Sequence, residues 1–349
     1  MKERVLTHRQ RMGLLWLGAV SPLFQRLPGA LAAAGELAWL SPLLALVPMG
    51  LLALLSRRLL AESEALGAAL CRCLGHGVGR GLCLLYGLWA FVLCAAALRS
   101  GAERFRWAVF PESRATVLLL VMAALGLMAA LGRPRSLGRM GEAVLPFLLL
   151  GLGLVLLPAM TTVKFRHLLP GGSETLTPAA MGALAVTNTV SAALFAAFLP
   201  AEGRGTKGDW LRTAAGWGLL GCLLCLATVG RLGPELAGEL PYPFFVMLRD
   251  VGPRGLLERV EPLLCAQWVA TDFVLTAVLL SAGGRCVARA VTGGEEKRRW
   301  STIAGAVLAL VLAWLGPEGL WAVLPVGNAL GLFGGLTLAL VIGRIRQRV

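Results

Sequence analysis

Ionisable side chains are scarce in this 349-residue chain: 15% of its residues are charged, against roughly 25% in soluble domains. With 57% hydrophobic residues and a mean hydropathy of +0.75, apolar runs of about 20 residues recur, which excludes a soluble globular domain and predicts a polytopic membrane protein. Histidine is rarer still. His8, His76 and His167 are all there are, and none joins a ligand cluster, so no metal site is expected. The eight cysteines are scattered, mostly inside apolar runs. Cys222 and Cys225 have C-x-x-C spacing but sit within a spanning helix with no second pair, which favours packing over metal or redox use. Catalytic pairings are missing as well: no two carboxylates adjoin within a span and no nucleophile has a base beside it. No enzyme and no cofactor are expected. The opening MKERVLTHRQR resembles a signal-peptide n-region, but no A-x-A site leads into a soluble domain, so it reads as a cytoplasmic tail.

What the chain has in place of charge is a run of apolar stretches. Ten spans are predicted, near 12–33, 37–56, 80–99, 115–132, 143–163, 178–199, 210–230, 255–283, 301–316 and 323–343. An even number puts both termini on one side. That side holds 22 of the lysines and arginines with eight acids, and the other holds ten with ten acids. The net charge of +14 therefore sits on one face, which the positive-inside rule makes cytoplasmic. The excess reads as a topology signal with anionic lipid as neighbour, and no nucleic-acid partner is expected. Within the loops, Leu59 to Gly79 has the pattern of an interfacial amphipathic helix. Arg231 to Arg254 is the longest outer loop, and its apolar centre from Pro241 to Val246 predicts a short helix folded back on the bundle, as a lid or as loop packing.

The first span, Met12 to Ala34, is organised differently from ordinary lipid-facing helix. Its middle carries Ser21, Pro22, Gln25, Arg26 and Pro28. Each proline removes a main-chain donor, and open backbone at membrane depth survives only against protein or a wet cavity. Five plus five spans set this segment against the sixth, where Thr177 and Pro178 mark the start and Thr187, Asn188, Thr189 and Ser191 make the middle polar. Interruptions at corresponding places in two halves point to an inverted-repeat transporter site. Proline kinking and hydroxyls bonded back to their own helix are the plainer explanations.

Arg26 and Asp272 are the ionisable residues farthest from either interface. A charge at the bilayer centre costs at least about 2.5–3.5 kcal/mol, so such groups pair or face a cavity. In span eight, Glu261, Cys265, Trp268 and Asp272 form one helical stripe, with Gln267 and Thr271 beside it. Three readings stand together: an Arg26–Asp272 ion pair, Arg26 receiving a ligand carboxylate while Asp272 takes an ammonium or a proton, or Arg26 snorkelling to the interface.

Several motifs then fall into one order. Leu27-Pro28-Gly29 precedes Ala38-Trp39-Leu40-Ser41; Ala97-Leu98-Arg99 leads to Phe110-Pro111-Glu112-Ser113. Arg139 and Glu142 precede Pro146, Leu168-Leu169-Pro170 follows, and Tyr242-Pro243, Arg259, Glu261 and Trp268 close the series. Together they resemble the B-subunit permeases of spore germinant receptors, a branch of the amino acid, polyamine and organocation transporter superfamily, over nearly the whole chain. Departures are Gly18 to Pro22 in place of a glycine-rich segment, Arg26 for an apolar residue, Leu37 for an aspartate and His167 for an asparagine.

The resemblance implies an all-α integral membrane protein, one membrane domain over 1–349 with pseudo-repeats near 12–163 and 178–343. It implies a leucine-transporter fold with broken helices 1 and 6. The implied function is a permease-like subunit of a nutrient germinant receptor in the spore inner membrane. Such a subunit binds a small polar ligand, typically an amino acid, and works with an A-type membrane subunit and a C-type lipoprotein. The alternative is a proton-coupled amino-acid transporter with Asp272 as carrier. Candidate contacts are Ser21, Gln25 and Arg26 in span one, Tyr86 in span three, Thr187, Asn188, Thr189 and Ser191 in span six, and Thr271 and Asp272 in span eight.

Overall fold

A computed structural model describes residues 5–60, 64–108, 112, 114–169, 176–249, 261–316 and 318–346, apart from the side chains at 25, 26, 249, 261 and 318–326. Among them the regular structure is helical, joined by turns and short irregular connections, with one isolated bridge from Leu6 to Ala201. In order the helices are α1 (His8–Ala32), α2 (Leu40–Leu44), α3 (Leu46–Leu59), α4 (Leu66–Leu74), α5 (His76–Ala108), α6 (Ala115–Leu131) and α7 (Pro134–Thr161). They continue with α8 (Leu176–Ser191), α9 (Lys207–Leu232), α10 (Pro234–Glu239), α11 (Pro243–Arg249), α12 (Glu261–Thr292), α13 (Arg298–Leu315) and α14 (Glu318–Ile345). Eight helical runs among the described residues are long and apolar enough to cross a membrane. The α1 helix and the shorter α6 stand where the first and fourth spans were expected.

Local chemistry explains where these helices begin and stop. Thr7 accepts from the backbone N–H of Gln10 while the Gln10 side chain accepts from the Thr7 N–H, a reciprocal box that starts α1. Thr206 and Asp209 do the same for α9. Left-handed glycines end α4 and α9: Gly75 at φ 83° and Gly233 at φ 87°. The expected start of span six shifts slightly, since α8 already includes Leu176, which places Thr177 and Pro178 inside the first turn.

The interruption expected in span one takes another form. The α1 helix runs unbroken from His8 to Ala32 with Pro22 and Pro28 inside it, so the prolines withdraw main-chain donors without ending the helix. Span six does change register: α8 gives way at Ala192 to a 3-10 helix that runs to Phe198, every residue of it buried. At the junction the Asn188 carbonyl accepts from the Ser191 hydroxyl at 2.8 Å and from the Asn328 amide at 3.1 Å. Side chains thus occupy a carbonyl near the helix end, where main-chain donors run out.

Two connecting segments were legible as helices but differ in setting. The predicted interfacial helix is α4, whose Leu66, Leu70 and Leu74 are buried against protein, packed on α5 and α14. The outer loop carries α10 and α11, with Phe244, Phe245 and Met247 of α11 fully covered by the bundle.

Helices approach closely where side chains are small, as is usual within membranes. One such face joins α5 to α12: a Cβ on Gly87 would meet Val287 Cγ2 at 2.7 Å and the Gly283 carbonyl at 3.1 Å. This contact sets α12, and with it Asp272, against α5.

Candidate ligand site

Asp272 lies in the first half of α12 and is 3% exposed; it pairs with Arg104, 1% exposed, at 2.9 Å. Ser21 on α1 donates its hydroxyl to the other Asp272 oxygen, and Arg104 Nη1 donates to Ser21 Oγ at 3.4 Å. Three helices are therefore joined through one carboxylate. Gly101 makes room for it, since a Cβ there would lie 3.0 Å from Asp272 Oδ2. The Arg104 guanidinium also lies over the Trp268 ring, 5.3 Å from its centroid.

Among the described residues the cation paired with Asp272 is Arg104, and the expected Arg26–Asp272 pair falls on a side chain outside them. The side chains of Gln25 and Arg26 lie outside the described residues. Arg104 escaped the sequence reading because span three was closed at residue 99 and the arginine assigned to an outer loop, whereas α5 continues to Ala108. A signal was present: Ala97, Gly101 and Arg104 keep one helical stripe. The stripe read on span eight does face inward, with Cys265, Trp268 and Asp272 all buried; the Glu261 side chain lies outside the described residues.

Beside the ion pair is a cavity of about 110 Å³, several times the roughly 10–15 Å³ that one water needs. Ser21 and Pro22 line it from α1, Leu93, Ala96, Ala97 and Ser100 from α5, and Asn188 and Thr189 from α8. Ala192, Asp272, Leu275, Leu279 and Asn328 complete the wall. The proline-bearing part of span one and the polar middle of span six thus both contribute residues to one cavity.

Four candidate contacts line this chamber: Ser21, Asn188, Thr189 and Asp272. The others that are described lie off its lining. Tyr86 donates to the Gly331 carbonyl at 2.9 Å and packs edge-on against Phe198. Thr187 and Thr271 bond back to their own helices, at 2.8 Å to the Ala183 carbonyl and 3.0 Å to those of Gln267 and Trp268. Ser191 accepts from Asn328 at 2.7 Å. Asn328, which the sequence reading missed, bridges α14 to α8 and accepts from Trp89 Nε1 at 3.1 Å; one polar residue in an apolar span gave little signal.

Polar groups in the chamber are already engaged. Thr189 donates to the Ala185 carbonyl at 2.8 Å and Ser100 to that of Ala97 at 3.2 Å, while Asn188 Oδ1 accepts from the Ala329 N–H at 3.0 Å. What remains facing the cavity is largely apolar wall, with the Asp272–Arg104 pair at one side.

At the end of the bundle that carries α10 and α11, a second cavity of about 320 Å³ is lined by Gly29, Ala30, Ser100, Glu103, Gly238, Leu240, Pro241 and Tyr242. Ser100 lines both cavities. The aromatic residues of α11 sit beside the ion pair: Phe245 meets Trp107 and Trp268, each at 5.3 Å, and Phe244 meets Phe24 at 4.9 Å.

A helical bundle of this length, with a part-polar chamber walled by its first, third, sixth and eighth spans, defines a transporter-like membrane protein. Comparison of structures agrees. The crystal structure of MhsT in complex with L-phenylalanine superposes with a TM-score of 0.74, covering 96% of this chain and 89% of that one at 13% identity, which establishes the leucine-transporter fold. No curated protein matches the sequence. The family profile for spore germination proteins, Spore_permease, matches residues 15–316, and the chain belongs to that family.

Proposed function

We propose that this protein is the permease-like subunit of a nutrient germinant receptor and binds a small amino acid in the chamber beside Asp272, triggering spore germination. The observation that carries the reading is the chamber itself, walled by Ser21 and Pro22 on one side and Asn188 and Thr189 on the other. Its mostly aliphatic lining suits an amino acid with a small apolar side chain. A ligand that prefers one arrangement of the bundle shifts a pre-existing equilibrium, and an A-type membrane subunit and a C-type lipoprotein relay the change. Both termini then face the cytoplasm, with α10 and α11 outside as a lid over the chamber.

Asp272 beside the chamber is what favours a second reading, proton-coupled amino-acid transport. Its carboxylate is held by Arg104 and Ser21, and taking up a proton would give up the charge attraction of that buried pair. Sensing without net flux is therefore preferred.

Purified protein is titrated with a panel of L-amino acids while its thermal midpoint is followed; a true ligand raises it by mass action. Small apolar amino acids are expected to do so, and Ala96→Leu, which fills the chamber, is expected to abolish the shift while the variant stays folded. A panel without effect, or an unchanged shift in Ala96→Leu, overturns the assignment. Radiolabelled uptake into proteoliposomes separates the two readings: a pH-gradient-driven accumulation establishes transport.

A further inference from the structure

Far along α5 from the chamber, at its N-terminal end, the sulfurs of Cys71 on α4 and Cys83 on α5 lie 3.7 Å apart. Gly79 brings the two helices this close, since a Cβ there would lie 2.6 Å from Cys71 Cα. Cys83 is fully buried, and its one thiol proton has two acceptors in reach, the Gly67 carbonyl at 3.2 Å and the Cys71 sulfur, whereas Cys71 is only half-buried. The Cys83 thiol bonded to Cys71, then the charges of Arg289 and Arg80, pull the Cys71 thiol down to about 7 against the opposing effect of burial. Arg80 is held in place by the Ala290 and Val291 carbonyls at 2.7 and 2.6 Å. An accessible thiol under two cations with a second thiol in contact is the arrangement of a reactive and a resolving cysteine.

We infer that Cys71 and Cys83 form a thiol oxidation site that takes a hydroperoxide and, once oxidised, ties α4 to α5 through a disulfide. The Cys71 thiolate attacks one peroxide oxygen; the O–O bond breaks, hydroxide or an alkoxide leaves, and Cys71 becomes a sulfenic acid. The Cys83 sulfur then displaces the hydroxyl: the S–O bond breaks, the S–S bond forms, and the hydroxyl departs with the Cys83 proton as water. Two thiols give up two electrons and the peroxide takes them. The sulfurs need to close by under about 2 Å to reach bonding distance. Cys286 is the competing buried thiol, its sulfur 3.5 Å from where a Cβ on Gly67 would lie, with Cys83 at 3.7 Å. The site is independent of the ligand chamber.

The full-length protein in detergent is treated with hydrogen peroxide, alkylated and digested for mass spectrometry. The expected product is a Cys71–Cys83 linked peptide that dithiothreitol reverses, with Cys71 alkylated about tenfold faster than any other cysteine before oxidation. Cys83→Ser is expected to stop at a Cys71 sulfenic acid that dimedone traps, and Cys286→Ser to leave the link intact. A Cys83–Cys286 product, a Cys71 no more reactive than its neighbours, or no dimedone adduct in Cys83→Ser overturns the proposal. The wild-type reactivity ranking decides the matter even where a variant fails to fold.

Discussion

At the residue scale the Arg104–Asp272 pair dominates, because its energetics are asymmetric. Removing one partner of a buried pair leaves an uncompensated charge, at a cost of about 3–5 kcal/mol, whereas replacing both with apolar groups can be nearly neutral. Asp272→Asn keeps the shape but removes the charge that faces Arg104; Arg104→Met removes the cation at 2.9 Å from Asp272. Both single variants are expected to lower the thermal midpoint and the folded yield, and Arg104→Met/Asp272→Leu to recover part of the loss, read by fluorescence-detected gel filtration across a heating series. Additive losses in the double variant would show that the two groups act separately. Gly101→Val tests the same geometry from the backbone: its side chain must enter space within 3.0 Å of Asp272 Oδ2 and 3.2 Å of Met122 Cε. It is expected to destabilise by about 1–3 kcal/mol. Asp272 and Ser21 were legible in the sequence because a charge and a proline-flanked hydroxyl stand out within apolar runs. Arg104 was not, because hydropathy marks where lipid contact stops, and an arginine past that point reads as loop whether or not its helix continues.

At the scale of elements, the span pattern was legible and the ends were not. The α5 helix runs to Ala108 and α7 starts at Pro134, both beyond the apolar windows, since hydrogen-bonded helix has no reason to stop at the hydrocarbon boundary. Proline at the first position of α7 is a start signal that hydropathy does not weigh. Inside α1, the same residue type deletes a bond: Pro22 cannot donate to the Gly18 carbonyl, and it also lines the chamber. Pro22→Ala restores that donor, so its thermal midpoint is expected to equal or exceed that of the parent while the ligand-induced shift shrinks. An undiminished shift would separate the chamber's function from the altered backbone of α1. Across the chamber, Asn328→Ala removes the donors to Ser191 and the Asn188 carbonyl and the acceptor for Trp89. Groups left without partners in a buried place cost about 1–3 kcal/mol, so this substitution is expected to loosen α14 from α8 and to lower the midpoint more than an alanine substitution at the back-bonded Thr187.

For the whole molecule, the arginine excess has a second use that composition could not show. Arg57 donates to the Gly205 carbonyl at 2.9 Å, Arg346 to that of Leu74 at 2.9 Å and Arg298 to that of Gly132 at 3.3 Å. Arg72 donates to the Leu59 carbonyl at 2.8 Å while pairing with Glu64 at 3.0 Å, a bond that raises the Arg72 guanidinium above its ordinary value. Several of these carbonyls end helices: Leu59 closes α3, Leu74 closes α4, and Gly132 follows α6. Cations there satisfy open carbonyls and meet the negative end of the helix dipole. The charge excess and the capping therefore rest on the same residues, and their effects can be separated. Replacing Arg346 with Gln removes one charge of an excess spread over many loops, so orientation is expected to hold, with the protease accessibility of tags at both termini the same as in the parent. The same change weakens the cap on α4 and is expected to cost about 0.5–1.5 kcal/mol, seen as a lower thermal midpoint with unchanged tag accessibility. A variant with altered orientation and an unshifted midpoint would mean that the charge serves topology and that its bond to Leu74 contributes nothing.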